Sequence, residues 1–596
     1  MDFHSYFEKL TQPRTILRLS TLEDMLRAFT PGERLALYAL TIVLGASAIG
    51  LLIGLNSAVS VRMPTYGGAF TEGRVGSARF INPILAISQS DEDLSELIYS
   101  GLTRIHPDGR LIMDIAQSYE ISPDGTMYTF KIKPDAAFHD KSPVTAADVM
   151  FTVDAAKNAA LRSPRRADWE GVEVSSPDPL TVVFKLPRPY TPFIENTSLG
   201  ILPKHIWANV SPEDFPFNPA NTRPIGSGPY RIVRTEFDAT GAATRYDLAP
   251  FSRFALGKPF LKRMTFIFYP NQTALIEALN EGEIDAVAGV APHDLGMVTR
   301  TDMMVARVAL PRVFGVFFNQ NHAPVLADQA VREALLASVD KQEIIRSVLG
   351  GYGVALDGAV PPGATGTHAP AVPEPFVNNV STSTEAELRA ALVDSARSIL
   401  IRGGWTFDEA AGVWKKKKLE LSFSLATADE PELVATVNAV AKYWRAAGIK
   451  VAVQIYPLSE LNTNVIRPRS YDAILFGEVV GRTADLFAFW HSSQRNDPGL
   501  NLALYANSKV DGLLAQARAT TERKAREALY VQFDNEIAKD NPGVFLYAPE
   551  FIYLVPQSVH GIKLGALSTP SERYQNAYEW YADTENVWSI FTSSNN

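Results

Sequence analysis

Cysteine is absent from all 596 positions, which excludes disulfides, zinc–thiolate centres, cysteine nucleophiles and a lipid-modified N-terminal cysteine. Histidine is scarce, at nine residues. There is no HExxH and no pair at metal-ligand spacing, so neither a metal nor any other cofactor is expected. His139-Asp140 reads as a structural or surface pair. A catalytic apparatus is missing too, and an enzyme is not expected. Gly226-Ser227-Gly228 lacks the glycine two residues before serine that a nucleophile elbow needs, and Gly350-Gly351-Tyr352-Gly353 has no following Lys-Ser/Thr to make a phosphate loop. A basic field is absent as well. The formal net charge is -9 and the pI about 5.6, which argues against nucleic acid as a partner.

What is present is the composition of a globular protein, with 46% hydrophobic residues. A chain this long divides into two or three lobes, because single cores stop growing well below this size. No internal repeat stands out. Residues 35–55, LALYALTIVLGASAIGLLIGL, carry no charge and, at about 20 residues, are long enough to cross a hydrocarbon core as a helix. The run is read as an uncleaved signal anchor over 35–61, with 1–34 on the cytoplasmic side. A buried helix and a signal peptide cleaved at Ala58-Val59-Ser60 are the rival readings. The length of the run and of the segment before it favours the anchor. Leu22, Met25, Leu26 and Phe29 recur at helical spacing, which gives the cytoplasmic segment a short amphipathic helix. Arg18, Arg27 and Arg34 before the run face Arg62 and Arg74 after it, so charge alone does not orient it.

Residues 111–157 carry the densest local signal. Ser122-Pro123-Asp124-Gly125 puts proline where it presets φ and glycine where the turn closes. Tyr128, Phe130 and Ile132 then alternate with Thr129, Lys131 and Lys133, the period of a strand with one buried face. Thr145 is placed as an N-cap, with Asp148 at the positive end of the helix dipole and Val149, Val153 and Ala156 as an apolar stripe. The unit is turn, strand, loop and capped helix. Its residues, DIAQSYEISPDGTMYTFKIKPDAAFHDKSPVTAADVMFT, resemble the family 5 solute-binding proteins, the dipeptide, oligopeptide and nickel receptors of ABC importers. Lys141-Ser142 stands where that family usually has a glycine. ILPKHIW at 201–207, PIGSGPY at 224–230, EALNEGEID at 277–285, AVREALLASVDKQEII at 330–345 and the run 511–547 extend the resemblance over 66–581.

The resemblance implies an α/β protein with a type II periplasmic-binding-protein-like two-lobe (Venus flytrap) fold and an extra subdomain, preceded by one N-terminal transmembrane helix. Lobe I is expected from 66–112, 222–318 and 553–590, the family-specific subdomain from 113–221, and lobe II from 319–552. The chain is expected to cross between lobes near 312–319 and 545–555. The function implied is the extracytoplasmic substrate-binding subunit of an ABC importer at the cell membrane, a monomer that captures peptides or peptide-like solutes and delivers them to permease and ATPase partners. An envelope sensor with the same fold and a peptide or cell-wall hydrolase are the alternatives. Nickel or haem uptake stays open within the transport class.

Ligand residues follow from the resemblance alone. Asn319 falls at the cleft end of the first crossing, or serves as a strand-end cap. In peptide-binding members an aspartate in the loop that matches 476–490, FGEVVGRTADLFAFW, holds the ligand's α-amine. Asp485 matches its second acidic position, Trp490 closes the segment, and Arg482 stands at or near the first. A cation there repels an ammonium group and favours an anion, while Glu478 is the replacement anchor if the loop shifts. If Arg482 clamps an anionic solute, Arg482→Ala lowers affinity at least about tenfold, the effect of losing a charge-assisted hydrogen bond. Unchanged binding in a titration removes that role.

Overall fold

The structure is a computed structural model that describes residues 28–591 apart from 363–373, 376–385, 482–484, 521 and 566. Leu22, Met25 and Leu26 of the expected amphipathic helix lie outside the described residues. The chain forms two compact units, Met1–Thr65 with Thr584–Asn596, and Tyr66–Asp583.

In the smaller unit a 29-residue helix, Pro31–Val59, starts from Thr30, whose amide and hydroxyl both donate to the Glu33 carboxylate at 2.8 and 2.7 Å. At 1.5 Å per residue this helix is about 43 Å long. None of its residues is buried, although Leu40, Ile42, Leu44 and Leu51 are among them; a helix apolar all round belongs in a bilayer or against a partner. It ends two residues before the expected limit of 61, because Ser60 turns extended and Ser60–Pro64 pairs antiparallel with Thr584–Trp588. The Trp588 indole donates to the Asn56 side chain at 2.7 Å. The expected lobe I boundary at 590 is therefore too long, since residues 584–588 are drawn into this ribbon.

In the larger unit the path of one mixed sheet runs through Lys450–Tyr456, Ser422–Ala428, Ala473–Val479, Arg312–Phe318, Gly543–Pro556, Ala286–Ala288, Gly67–Val75, Leu261–Tyr269, Ala243–Pro250 and Tyr230–Phe237. Gly543–Pro556 serves both lobes. Its first half pairs with Arg312–Phe318 and its second with Met303–Ala309. Phe545 and Leu546 enter the lobe II core, whereas Phe551, Tyr553 and Val555 enter that of lobe I. Between them only Pro549 and Glu550 are half-buried. The other crossing is 303–318, interrupted at Leu310-Pro311. The lobe boundaries move accordingly. Residues 312–318, expected in lobe I, carry Val313, Val316 and Phe317 into the lobe II core, while Phe551, expected in lobe II, packs in lobe I. A strand that crosses between lobes takes its lobe from its partners, which lie far away in sequence.

The strands Ala116–Ile121, Met127–Ile132, Thr181–Lys185 and Glu173–Asp178 form an antiparallel sheet of their own. The predicted turn closes with the Gly125 amide donating to the Ser122 carbonyl at 2.8 Å, Gly125 standing at φ +68°. Tyr128, Phe130 and Ile132 are buried with Trp169 and Phe184. The Thr145 amide and hydroxyl donate to one Asp148 oxygen at 2.8 and 2.7 Å, and the other oxygen accepts the Lys204 amide at 2.8 Å. The capped helix thereby holds the ILPKHIW segment. His139 holds PIGSGPY in the same manner: Nδ1 accepts the Gly226 amide at 3.3 Å, and Nε2 donates to the Gly228 carbonyl at 3.1 Å. Burial, only partly opposed by that carbonyl, lowers the His139 pKa to about 4 and keeps the ring neutral. Glycine is required at 226 because a Cβ there would stand 2.0 Å from the Ile98 carbonyl oxygen.

At the centre of lobe I lies a fully buried charge cluster. Arg573 donates to Glu72 and to both oxygens of Asp93, each at 2.8 Å, and Arg74 contacts Asp93 and lies 3.5 Å from Glu72. The Tyr553 and Tyr574 hydroxyls donate to Glu72 at 2.8 and 2.6 Å. Burial alone would raise the Glu72 pKa, but the two guanidinium groups and these hydroxyls outweigh it and lower it from 4.5. Its stabilising contribution is therefore complete above pH 4.5 and is lost as pH falls below that value. Arg573→Leu, which leaves two buried carboxylates to Arg74 alone, is expected to cost about 3–5 kcal/mol at pH 7. Urea unfolding of variant and parent at pH 7 checks this, and a loss under about 1 kcal/mol, the range of a surface pair, would contradict it.

Candidate functional site

The helix Gln89–Ile98 sets what faces the gap between the lobes. Leu94, Leu97 and Ile98 are buried, which turns Glu92 and Glu96, four residues apart, toward another side. Both line a cavity of about 370 Å³, together with Arg104 and Glu572 of lobe I, Arg165, Asp168, Tyr190 and Glu195 of the subdomain, and Gly481 of lobe II. Five lining carboxylates, Glu92, Glu96, Asp168, Glu195 and Glu572, face two arginines, Arg104 and Arg165. Acidic side chains thus outnumber basic ones among the described lining residues.

Arg104 is engaged, 2.8 Å from Asp114 and 3.2 Å from Glu96. Burial nonetheless outweighs Arg104 and pushes the Glu96 carboxyl up to about 7, and burial raises Glu92 as well. Across the gap, burial and then the nearby Asp485 raise the Tyr190 phenol to about 12. Tyr190 of the subdomain thus lies within electrostatic reach of Asp485 of lobe II. Burial also lowers the pKa of Arg312, at the root of the first crossing, and Glu92 is the charge that opposes this.

The residues named from sequence lie at different depths. Asn319 is buried; its side-chain Nδ2 donates to the Arg469 carbonyl at 3.0 Å and its Oδ1 accepts the His322 backbone amide at 3.1 Å. Asp485 is held by Arg518 in a bidentate pair at 2.8 and 2.6 Å, and that guanidinium lies 3.9 Å from the centroid of the Phe487 ring. Trp490 is fully buried among Phe317, Tyr505, Phe533 and Phe545. Glu478 is 2% exposed, and neither carboxyl oxygen has a hydrogen-bond partner among the described residues. Burial raises its pKa well above the usual carboxylate value. The Trp490 indole partly opposes this, yet lies outside hydrogen-bond geometry. Arg482 falls outside the described residues. Sequence reasoning passed over Glu92 and Glu96, although two acids four residues apart in QSDEDLSELI are the spacing of one helix face. Arg165 and Tyr190 sit outside any periodic segment and gave no such signal.

Residues 110–499 match the family model described as bacterial extracellular solute-binding proteins, family 5 Middle. The chain belongs to that family. Among its relatives, the oligopeptide-binding protein AppA of Bacillus subtilis is 27% identical over 531 residues, which span 88% of this chain and 93% of the relative. The probable D,D-dipeptide-binding periplasmic protein DdpA of Escherichia coli is 25% identical over 512 residues, 82% of this chain and 90% of its own. In structure, AppA of Bacillus subtilis in complex with a nonapeptide matches with a TM-score of 0.63 at 25% identity, over 87% of this chain and all of that one. The ABC transporter substrate-binding protein CtaP of Listeria monocytogenes shares the fold, with a TM-score of 0.69 at 23% identity over 87% of this chain and 100% of its own.

For a family 5 solute-binding protein, ionisation of a carboxyl in the cleft wall couples stability to pH. Folded Glu96 holds a proton between pH 4.5 and about 7 that the unfolded chain releases, so its contribution to stability falls as pH rises through that window. Glu96→Gln cannot ionise. Its melting temperature is expected to change less than that of the parent between pH 5 and pH 8, and parallel profiles would contradict the assignment.

Proposed function

We propose that this family 5 protein is the extracytoplasmic substrate-binding subunit of an ABC importer for peptides or peptide-like solutes, anchored in the membrane through Pro31–Val59. It works as a monomer and hands its solute to a permease driven by an ATPase. One observation carries the reading. The likeness to a protein named for oligopeptides, and solved with a nonapeptide, spans both lobes and the cleft rather than a single motif.

The geometry suits capture by closure. The lobes are joined at 303–318 and 543–556, so a solute that touches both shifts an open–closed equilibrium by its differential affinity for the closed form. The carboxylate-rich wall of lobe I receives the amino end of the solute. In lobe II, Asp485 is fixed by Arg518, and the buried Asn319 and Trp490 support the framework behind the site.

The full chain, purified in detergent from the cells that make it and then denatured, is expected to release a ladder of short peptides detectable by mass spectrometry. A single non-peptide compound overturns the peptide assignment. An empty protein that also fails to bind a random peptide library overturns solute capture of this class.

A further inference from the structure

Glu478 combines two properties seldom found together. It is almost completely buried, and its two oxygens lack any hydrogen-bond partner or ion-pair partner among the described residues. Burying a carboxyl without compensation is costly, and native structures satisfy nearly all such groups. The Trp490 indole N–H beside it is also buried and unpartnered. Along Ala473–Val479, Glu478 shares a face with Ile474 and Phe476 and stands opposite Val313 in register.

That face borders a cavity of about 620 Å³, distinct from the acidic cavity between the lobes, and Glu478 stands at its wall with both carboxyl oxygens shielded just behind the lining. The size is that of a ligand pocket. Its walls are apolar, from Ile466, Phe476, Phe489 and Leu502, and exposed Ser459 and Asn462 stand at its mouth. The two cavities are linked through the chain itself. Glu478 borders one and Gly481, three residues on, borders the other, at most about 10 Å apart along an extended backbone.

Resting on the reading of this protein as a solute receptor, we propose that this second cavity is a specificity pocket for a solute arm with an aliphatic stem and a terminal ammonium group, with Glu478 as the counter-ion at its inner end. The stem fits the apolar walls. The ammonium supplies the opposite charge and the donors that Glu478 lacks, and a charge-assisted hydrogen bond in such a setting is among the strong ones. Burial favours the neutral form of the carboxyl in the empty pocket, and to act as counter-ion it releases that proton to solvent as the ammonium arrives. An arm ending in a methyl group fills the same space but leaves Glu478 unsatisfied, which is the arrangement that discriminates most strongly between similar ligands.

The test uses the full chain in detergent and calorimetric titration with alanine tripeptides that carry lysine at each position in turn, each beside its norleucine twin, which lacks only the ammonium group. At one position lysine is expected to bind at least about tenfold more tightly than norleucine. Glu478→Gln is expected to remove that preference by lowering the affinity of the lysine peptide to that of its norleucine twin. Ser459→Trp, at the exposed mouth with Glu478 intact, is expected to weaken the lysine and norleucine peptides alike at that position relative to trialanine, and unchanged binding of both overturns the pocket, so the proposal stays testable if Glu478→Gln fails to fold. Lysine and norleucine peptides bound equally at every position by the parent, or a lysine preference unchanged in Glu478→Gln, overturns the pocket. If no peptide binds the parent, n-pentylamine separates the two claims. Glu478-dependent binding of the amine retains the pocket and removes the peptide reading, and no binding of the amine removes the pocket too.

Discussion

The buried cluster of Arg573, Arg74, Glu72 and Asp93 fixes the part of the molecule against which everything else is arranged. It joins the strand Gly67–Val75, the helix Gln89–Ile98, the lobe I half of Gly543–Pro556 and residues 570–579. Two positive and two negative side chains balance there, so removing any one strands a charge in a medium that cannot solvate it. Because Asp93 lies on the same helix as Glu92 and Glu96, the cluster also sets the height and rotation of the acidic cleft wall. On the function proposed above, a wall held this way is ordered before any solute arrives, which lowers the ordering cost of binding.

Lobe II is attached to that block at few points. Where Gly543–Pro556 leaves one lobe for the other, Pro549 has no amide hydrogen to place in a ladder, and its carbonyl accepts the Leu310 amide of the other crossing at 3.0 Å. A bend at this level breaks little of the sheet on either side. Across the gap, Tyr190 of the subdomain lies within electrostatic reach of the Asp485–Arg518 pair.

The sequence was most readable where the determinants are local. In 122–157 the proline, the closing glycine, the strand alternation and the Thr145–Asp148 box all act within a few residues, and each takes its expected place. Lobe boundaries were less readable, because Arg312–Phe318 and Met303–Ala309 are both short strands whose lobe is set by pairing partners far along the sequence. The same limit applies to single residues. An aromatic at the end of a loop can be a cleft lining or a core plug, and only the rings of Phe317, Phe533 and Phe545 around Trp490 show it in the core. Asn319 fits both a cleft and a cap in sequence, and its bonds to Arg469 and His322 are those of a cap. The isolation of Glu478 could not be read at all, since it depends on what is missing around it.

The position of Gly543–Pro556 near the end of the chain orders events during biosynthesis. Arg312–Phe318 and Met303–Ala309 both wait for it, so through the making of some 225 residues, from 318 to 543, neither lobe can complete its sheet. Until then both lobes leave a strand edge open where Gly543–Pro556 will lie, the kind of edge that invites wrong partners. One late strand thus makes the completion of the two lobes a single event rather than two.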